Sequence, residues 1–196
     1  AVTGQELATF HGASGTVACS PDGKLVACTS SQDGMVKVWD LQSERELFSF
    51  PHARVETVAF SPSGQQLASG AWGTLRVWDL QTGQVIRTIK GTGNIALFSP
   101  DGQRLVSNSR DNSVRFWNAQ QDQEYRVIEG TGGLSTTVST DFKLVVSASA
   151  DNTVRMLAVE NGQELRSFVG HTAPVRTLAI SPDGKRLASG ASGRKA

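Results

Sequence analysis

At 196 residues, 38% of them hydrophobic, the chain is long enough to bury a sizeable apolar core. Nineteen basic against eighteen acidic residues leave a formal charge of +1, spread evenly, so no basic stripe is offered to a nucleic-acid backbone and nucleic acid is not an expected partner. No apolar run approaches the ~20 residues of a membrane-spanning helix, so no membrane partner is expected either.

Twenty Gly against six Pro, with many Val, Ser and Thr, point to a strand-rich, turn-rich chain. It begins at Ala1 with neither a charged n-region nor an apolar h-region, the expectation being a removed leader or an excised piece. Cys19 and Cys28 are too few for a disulfide framework or a four-Cys zinc site and match no CxxC spacing, so both read as small buried apolar residues. With no Asn-x-Ser/Thr acceptor present, a reducing, cytoplasmic setting is the expectation.

Along the chain, short segments rich in Val, Leu, Ile and Phe are bounded by Asp-Gly, Pro-Asp-Gly or Asn-Gly, which predicts short strands joined by tight turns. The first predicted strand covers residues 6–10. Trp39-Asp40, Trp78-Asp79 and Trp117-Asn118 then follow one another at intervals of 39 residues, and the next expected position, 156, falls on Met156-Leu157. A second marker keeps nearly the same step: Ser20-Pro21-Asp22-Gly23, Ser61-Pro62-Ser63-Gly64, Ser99-Pro100-Asp101-Gly102, a degraded Ser139-Thr140-Asp141-Phe142, and Ser181-Pro182-Asp183-Gly184. The second copy shows the unit, with strand a over 55–60, b over 66–69, c over 74–78 and d over 84–89. No stretch has helical periodicity long enough to compete. A four-stranded antiparallel sheet of this size has two faces to cover, so the copies must stack face to face around an axis.

Repeats of roughly 40 to 45 residues with four strands and a Trp-Asp pair resemble the WD-repeat (tryptophan-aspartate) family along nearly the whole chain. The expected fold is all-β, a β-propeller of four-stranded antiparallel blades with four complete repeats and a partial fifth. One domain spans 1–196, with blade units near 11–50, 51–89, 90–128 and 129–168, a partial unit over 169–196, and 1–10 as strand d of a preceding or closing blade. The chain ends soon after a fifth strand b, so one strand c is lacking. In this family the N-terminal d strand pairs with the last strand c. A fragment of a longer propeller is therefore expected in preference to a closed five-blade ring, with self-association through the unclosed ends.

The resemblance also implies a hydrogen-bonded chain in each blade: a His between strands d and a, a Ser or Thr on b, an Asp in the b-to-c turn and the Trp on c. Copy one offers His11, Asp33 and Trp39, with Cys28 or Thr29 on strand b. Copy two has His52, Ser69 and Trp78, with Trp72 where the Asp should be. Copy three has Ser107, Asp111 and Trp117, with Gly91-Thr92 in place of the His. Copy four keeps Ser147 and Asp151, and copy five supplies His171 and Ser189. No copy has an unambiguous full set, so apolar packing is expected to carry most of the stability.

The three His recur at one place in the repeat, so a structural role is expected of them, with no metal, no cofactor and no catalytic residue. Gly91-Thr92-Gly93-Asn94-Ile95-Ala96 imitates a phosphate loop, yet no helix follows it and the next turn marker arrives in register. In WD-repeat proteins the residue four before the last apolar position of strand a faces the channel entrance, which here selects Gly15, Glu56, Asn94, Leu134 and Arg176. The residues before the turn Asp add Gln32, Arg110 and Ala150, with Trp72 nearby. Glu56, Trp72, Asn94, Arg110 and Arg176 are thus the candidate partner-binding residues, aromatic and Arg side chains being enriched at interface hot spots. The expected function is a non-enzymatic scaffold binding a peptide or folded protein through the entrance face. The rivals are an enzyme or small-ligand binder using the channel, and a degenerate fragment without independent function.

Overall fold

The computed structural model describes residues 15–30, 32–109, 111–121, 123–129, 135–181 and 183–192. The predicted strand at 6–10 lies outside the described residues. Blade one is the sheet of β1 (Val17–Cys19), β2 (Leu25–Ser30), β3 (Met35–Asp40) and β4 (Glu46–Pro51). Blade two holds β5 (Val55–Phe60), β6 (Gln66–Ala71), β7 (Thr74–Asp79) and β8 (Val85–Lys90). Blade three holds β9 (Leu97–Phe98), β10 (Arg104–Asn108), β11 (Val114–Asn118) and β12 (Glu124–Ile128). Blade four holds β13 (Thr136–Val138), β14 (Leu144–Ala148), β15 (Val154–Ala158) and β16 (Glu164–Phe168). β17 (Val175–Ile180) and β18 (Leu187–Ala191) pair as a fifth, two-stranded sheet. Neighbours within each sheet run antiparallel.

The second strand of a blade is covered on both faces, which explains why it reads as a run of small and apolar residues with no alternation. Leu67, Ala68 and Ser69 of β6 are all fully buried. The fourth strand lies at the rim, and in β4, β8 and β12 only one side chain each, Phe50, Ile89 and Ile128, is fully buried. Each blade contributes one apolar face to a seam with the next. In the first seam Val36, Val38 and Phe50 meet Val58, Leu67 and Trp78, and Trp78 stacks on Phe50 with ring centroids 4.6 Å apart. Leu75, Val77 and Ile89 meet Leu105 and Trp117 in the second, and Phe116 and Ile128 meet Phe142, Val145 and Leu157 in the third. The fourth seam, of Val146 and Val154 with Val175, is the smallest.

The Ser-Pro-Asp-Gly marker is a turn held by its own side chains. Ser20 Oγ donates to Asp22 at 2.6 Å, Leu25 N–H donates to Ser20 Oγ, and Gly23 takes the left-handed φ of 70°. The copy that reads as degraded keeps this geometry. Ser139 Oγ donates to Asp141, Phe142 N–H donates to the Ser139 carbonyl, and Phe142 adopts φ 58° despite its side chain. That turn position faces the preceding blade, since a Cβ at Gly102 would lie 3.6 Å from Pro62. Phe142 exploits the direction, placing its ring edge-on to Phe116 at 6.0 Å in the third seam. In the same seam Leu157, opposite Val145, stands where Trp117 stands opposite Leu105, so the Trp position of blade four is 157. Replacing Phe142→Gly relieves roughly 1 kcal/mol of backbone strain and removes a ring whose burial is worth about 3–4 kcal/mol. Urea denaturation should show the variant about 2–3 kcal/mol less stable, and equal or greater stability would mean that the ring does not support the seam.

Candidate functional site

His52, in the link between β4 and β5, is 2% exposed. Its Nδ1 lies 2.7 Å from Ser69 Oγ, and Trp78 Nε1 donates to the same oxygen at 2.8 Å. Because an indole can only donate, Ser69 Oγ accepts from Trp78 and keeps a second hydrogen bond for His52 Nδ1. His52 Nε2 lies 2.9 Å from Thr74 Oγ1. Thr74 thus takes the place that sequence reasoning gave to Trp72. The turn between β6 and β7 is only Trp72-Gly73, Ala71 pairing directly with Thr74, so the first residue of strand c reaches the imidazole. Burial, aided by the Arg76 guanidinium, holds the His52 pKa down at about 4, and the ring is neutral at physiological pH.

Parts of the same arrangement recur among the described residues of the other blades. Register puts Cys28 opposite Lys37 as Ser69 is opposite Arg76, so Cys28 and not Thr29 occupies the strand b position, and burial pushes its thiol pKa up. Trp117 Nε1 donates to Ser107 Oγ at 2.9 Å, while Thr92 is buried with no hydrogen-bond partner for its hydroxyl among the described residues. Ser147 lies 3.1 Å from Thr136 Oγ1, and His171 Nε2 lies 2.7 Å from Ser189 Oγ. His11 lies outside the described residues. The turn Asp residues serve a different partner. Asp111 pairs with Arg115 at 2.5 Å, Asp151 with Arg155 at 2.9 Å and Asp33 with Lys37 at 3.8 Å, and each cation also meets a carboxylate of the next strand, Glu124, Glu164 or Glu46. The Ser113 hydroxyl, helped by Arg115, holds Asp111 at about 2, and the Thr153 hydroxyl with Arg155 holds Asp151 well below the carboxylate range. Arg76, at the equivalent place in blade two, donates to the Pro51 carbonyl.

The entrance residues of blades two and three converge. Trp72 Nε1 donates to Glu56 Oε1 at 2.6 Å, and Asn94 Nδ2 donates to Glu56 Oε2. Glu56 is exposed, Trp72 half-buried and Asn94 buried. Three residues that sequence counting missed hold the cluster. Thr57 Oγ1 donates to the Asn94 carbonyl at 2.5 Å, Asn108 Nδ2 donates to Asn94 Oδ1 at 3.0 Å, and Thr16 Oγ1 donates to the Glu56 carbonyl at 2.5 Å. Asn108 also accepts from Ile95 N–H, a lock legible only once strand register is known. Gly70 permits the approach, because a Cβ there would stand 2.5 Å from the Asn94 carbonyl oxygen. Arg176, on β17 in the last blade, donates to Ser192 and does not join the cluster. Gly15, Gln32 and Ala150 are exposed in other blades, and Arg110 and Leu134 lie outside the described residues. Among the described residues no three His, Cys, Asp or Glu side chains gather as metal ligands would.

The model of the WD domain, G-beta repeat, matches residues 4–40, 44–79, 83–118 and 162–195. The chain belongs to the WD40 family. The match passes over most of blade four, where Leu157 replaces Trp and no His precedes the sheet. WD40 repeats generally mediate protein–protein interaction. Among curated proteins, the small ribosomal subunit protein RACK1 of Schizosaccharomyces pombe is 31% identical over 109 residues, 49% of this chain and 34% of that protein. Among solved structures, a chain of Kuenenia stuttgartiensis hydrazine synthase superposes with a TM-score of 0.82 at 21% identity, covering 95% of this chain and 58% of that one, a likeness of fold alone. This WD40 chain therefore spans about a third of the RACK1 relative's length and somewhat over half of that structure.

Two measurements probe the blade-two network. Ser69→Ala leaves the Trp78 N–H and His52 Nδ1 unpaired inside the seam, and should cost about 2 kcal/mol in chemical denaturation. The pH dependence follows from His52: its folded pKa, about 4, lies below the ordinary 6.5, so the stability it allows is complete above pH 6.5 and falls as the unfolded chain takes up a proton below it. Stability at pH 5 should be about 2 kcal/mol lower than at pH 7. Asp111 and Asp151, with lowered pKa values, lose their contributions only below the ordinary carboxylate value of 3.8, so they do not mask this window.

Proposed function

We propose that this chain is a protein-interaction module that binds a peptide or folded partner through the entrance cluster of Glu56, Trp72 and Asn94. The carrying observation is an exposed carboxylate held by an indole N–H and an amide N–H from two blades. A carboxylate offers about four acceptor sites, so two remain for a donor brought by a partner. The surrounding strands are rigid, and a group fixed before binding has little rotamer entropy left to lose. Trp72 supplies a half-buried aromatic surface beside that charge, the combination that interface hot spots use. The chemistry favoured in the partner is a basic or amide donor next to an apolar group. The reading includes a cytoplasmic setting, supported by the free thiols of Cys19 and Cys28 and by a relative named as a small ribosomal subunit protein.

The test is affinity capture from cell extract with the native chain and with a Glu56→Gln, Trp72→Ala variant. The variant should keep its circular dichroism and melting temperature while partners bind about tenfold less. Equal recovery of every partner by the folded variant would remove the cluster as the binding surface.

A further inference from the structure

Blades one, three and four guard the rim strand in one way. Register sets Glu46, Glu124 and Glu164, each at the head of the fourth strand, opposite Trp39, Trp117 and Leu157. Each Glu pairs with the cation two residues before that position, Lys37, Arg115 or Arg155, which the turn Asp also holds. In blade two both carboxylates are lacking. Val85 stands opposite Trp78 where the Glu would be, and the turn Trp72-Gly73 carries no Asp. Arg76 is left with the Pro51 carbonyl and with the Trp78 ring, whose centroid is 5.8 Å from the guanidinium carbon. Its Nε is buried with no hydrogen-bond partner among the described residues.

The imbalance extends along the hairpin. Residues 74–90 hold three cations, Arg76, Arg87 and Lys90, against one acid, Asp79. That acid is occupied in closing its own turn, where the Thr82 N–H and hydroxyl donate to it. The matching hairpins at 35–51, 114–128 and 154–168 each hold at least as many acids as cations. β8 is the outermost strand of a four-stranded sheet lying between two other four-stranded blades, and among the described residues nothing pairs with its outer edge. A charge or a Pro on an edge strand discourages further pairing. β8 opens instead on Val85 and Ile86, 47% and 45% exposed, and continues through Thr88 and Ile89, all side chains that favour a ladder.

We infer that the rim of blade two docks an extended, acid-bearing segment of a partner protein. The segment adds as a fifth strand along β8 and covers Val85 and Ile86 with its own apolar side chains. It brings to Arg76 the carboxylate that Glu46, Glu124 and Glu164 bring to the cations of their own blades. Backbone pairing supplies affinity, and the acid selects the segment. A second copy of the chain is disfavoured, because two β8 edges would bring hairpins of like charge together.

The probe is a fluorescently labelled, end-capped peptide of sequence Thr-Val-Glu-Val-Thr-Val-Thr, titrated with the whole chain and followed by anisotropy. Saturable binding at one site per chain is expected, with slower hydrogen exchange in β8. A peptide with Gln in place of Glu should bind about threefold more weakly, and Arg76→Gln in the protein should abolish that difference. Val85→Glu supplies Arg76 from within the blade and guards the edge, so it should weaken the Glu peptide about tenfold while the melting temperature is kept. Lack of saturation, equal binding of the two peptides, or binding indifferent to Val85→Glu overturns the assignment. So does light scattering that shows a dimer dissociated by the peptide, because a second copy would then be the occupant. Slow exchange of the whole of β8 before peptide is added overturns it too, since the chain would then cover that edge itself. Glu56→Gln and Trp72→Ala should leave peptide binding unchanged, which separates this test from that of the entrance cluster.

Discussion

Burial of sheet faces between consecutive blades is the constraint on which everything else in the molecule depends. A lone four-stranded sheet would leave Leu67, Leu75, Leu105 and Phe116, all fully buried here, in contact with water. At about 25 cal/mol per Å² of apolar surface, no internal hydrogen bonding of a single blade offsets that exposure. Each blade is thus ordered by its neighbours, and stability accumulates along the arc as a sum of seams. The seams are unequal. The first three are broad and aromatic, whereas the fourth rests mainly on Val146, Val154 and Val175.

Polar groups inside this stack act as position markers more than as adhesive. The run from Trp78 through Ser69 and His52 to Thr74 satisfies every member in one geometry, which a slip of register would break. In blades one, three and four the turn Asp pairs with the cation on the following strand, Lys37, Arg115 or Arg155. The ion pair is at the surface and contributes modestly, but it keeps the turn in place without burying charge. The entrance cluster inherits its rigidity from the same framework, since Asn94 is held by Asn108 and Thr57 before it holds Glu56.

Much of the fold was legible because the apolar pattern and the turns repeat together. Strand a of the second copy, expected over 55–60, is β5 itself, and the Trp interval located strand c in three blades. Strand b of that copy runs two residues beyond its expected end at 69, because Gly70 and Ala71 carry no apolar periodicity yet sit in the ladder. Thr74 was missed because the expected network presumed an Asp-bearing turn, and a two-residue turn moves the partner onto the strand. Phe142 looked like a lost turn for a similar reason: a sequence shows that Gly is gone but not that a buried ring compensates the φ it leaves behind. Counting positions also selects one rim residue per blade without saying which rims adjoin. It placed Glu56 and Asn94 together with Arg176, which sits in the last blade.

The third seam carries a consequence for how such a chain can change. Blade four has Leu157 where blades one to three have Trp39, Trp78 and Trp117, and Phe142 where the other turn markers have Gly. Bulk has moved from a strand to a turn within one cluster, so the two sites are coupled. Restoring the indole first would crowd the ring already present, and restoring the glycine first would open a hole. Exchanging both residues for Trp and Gly therefore has to cross a less stable intermediate in either order. A blade that departs from its family pattern is thus held in that form by the packing of its own seam.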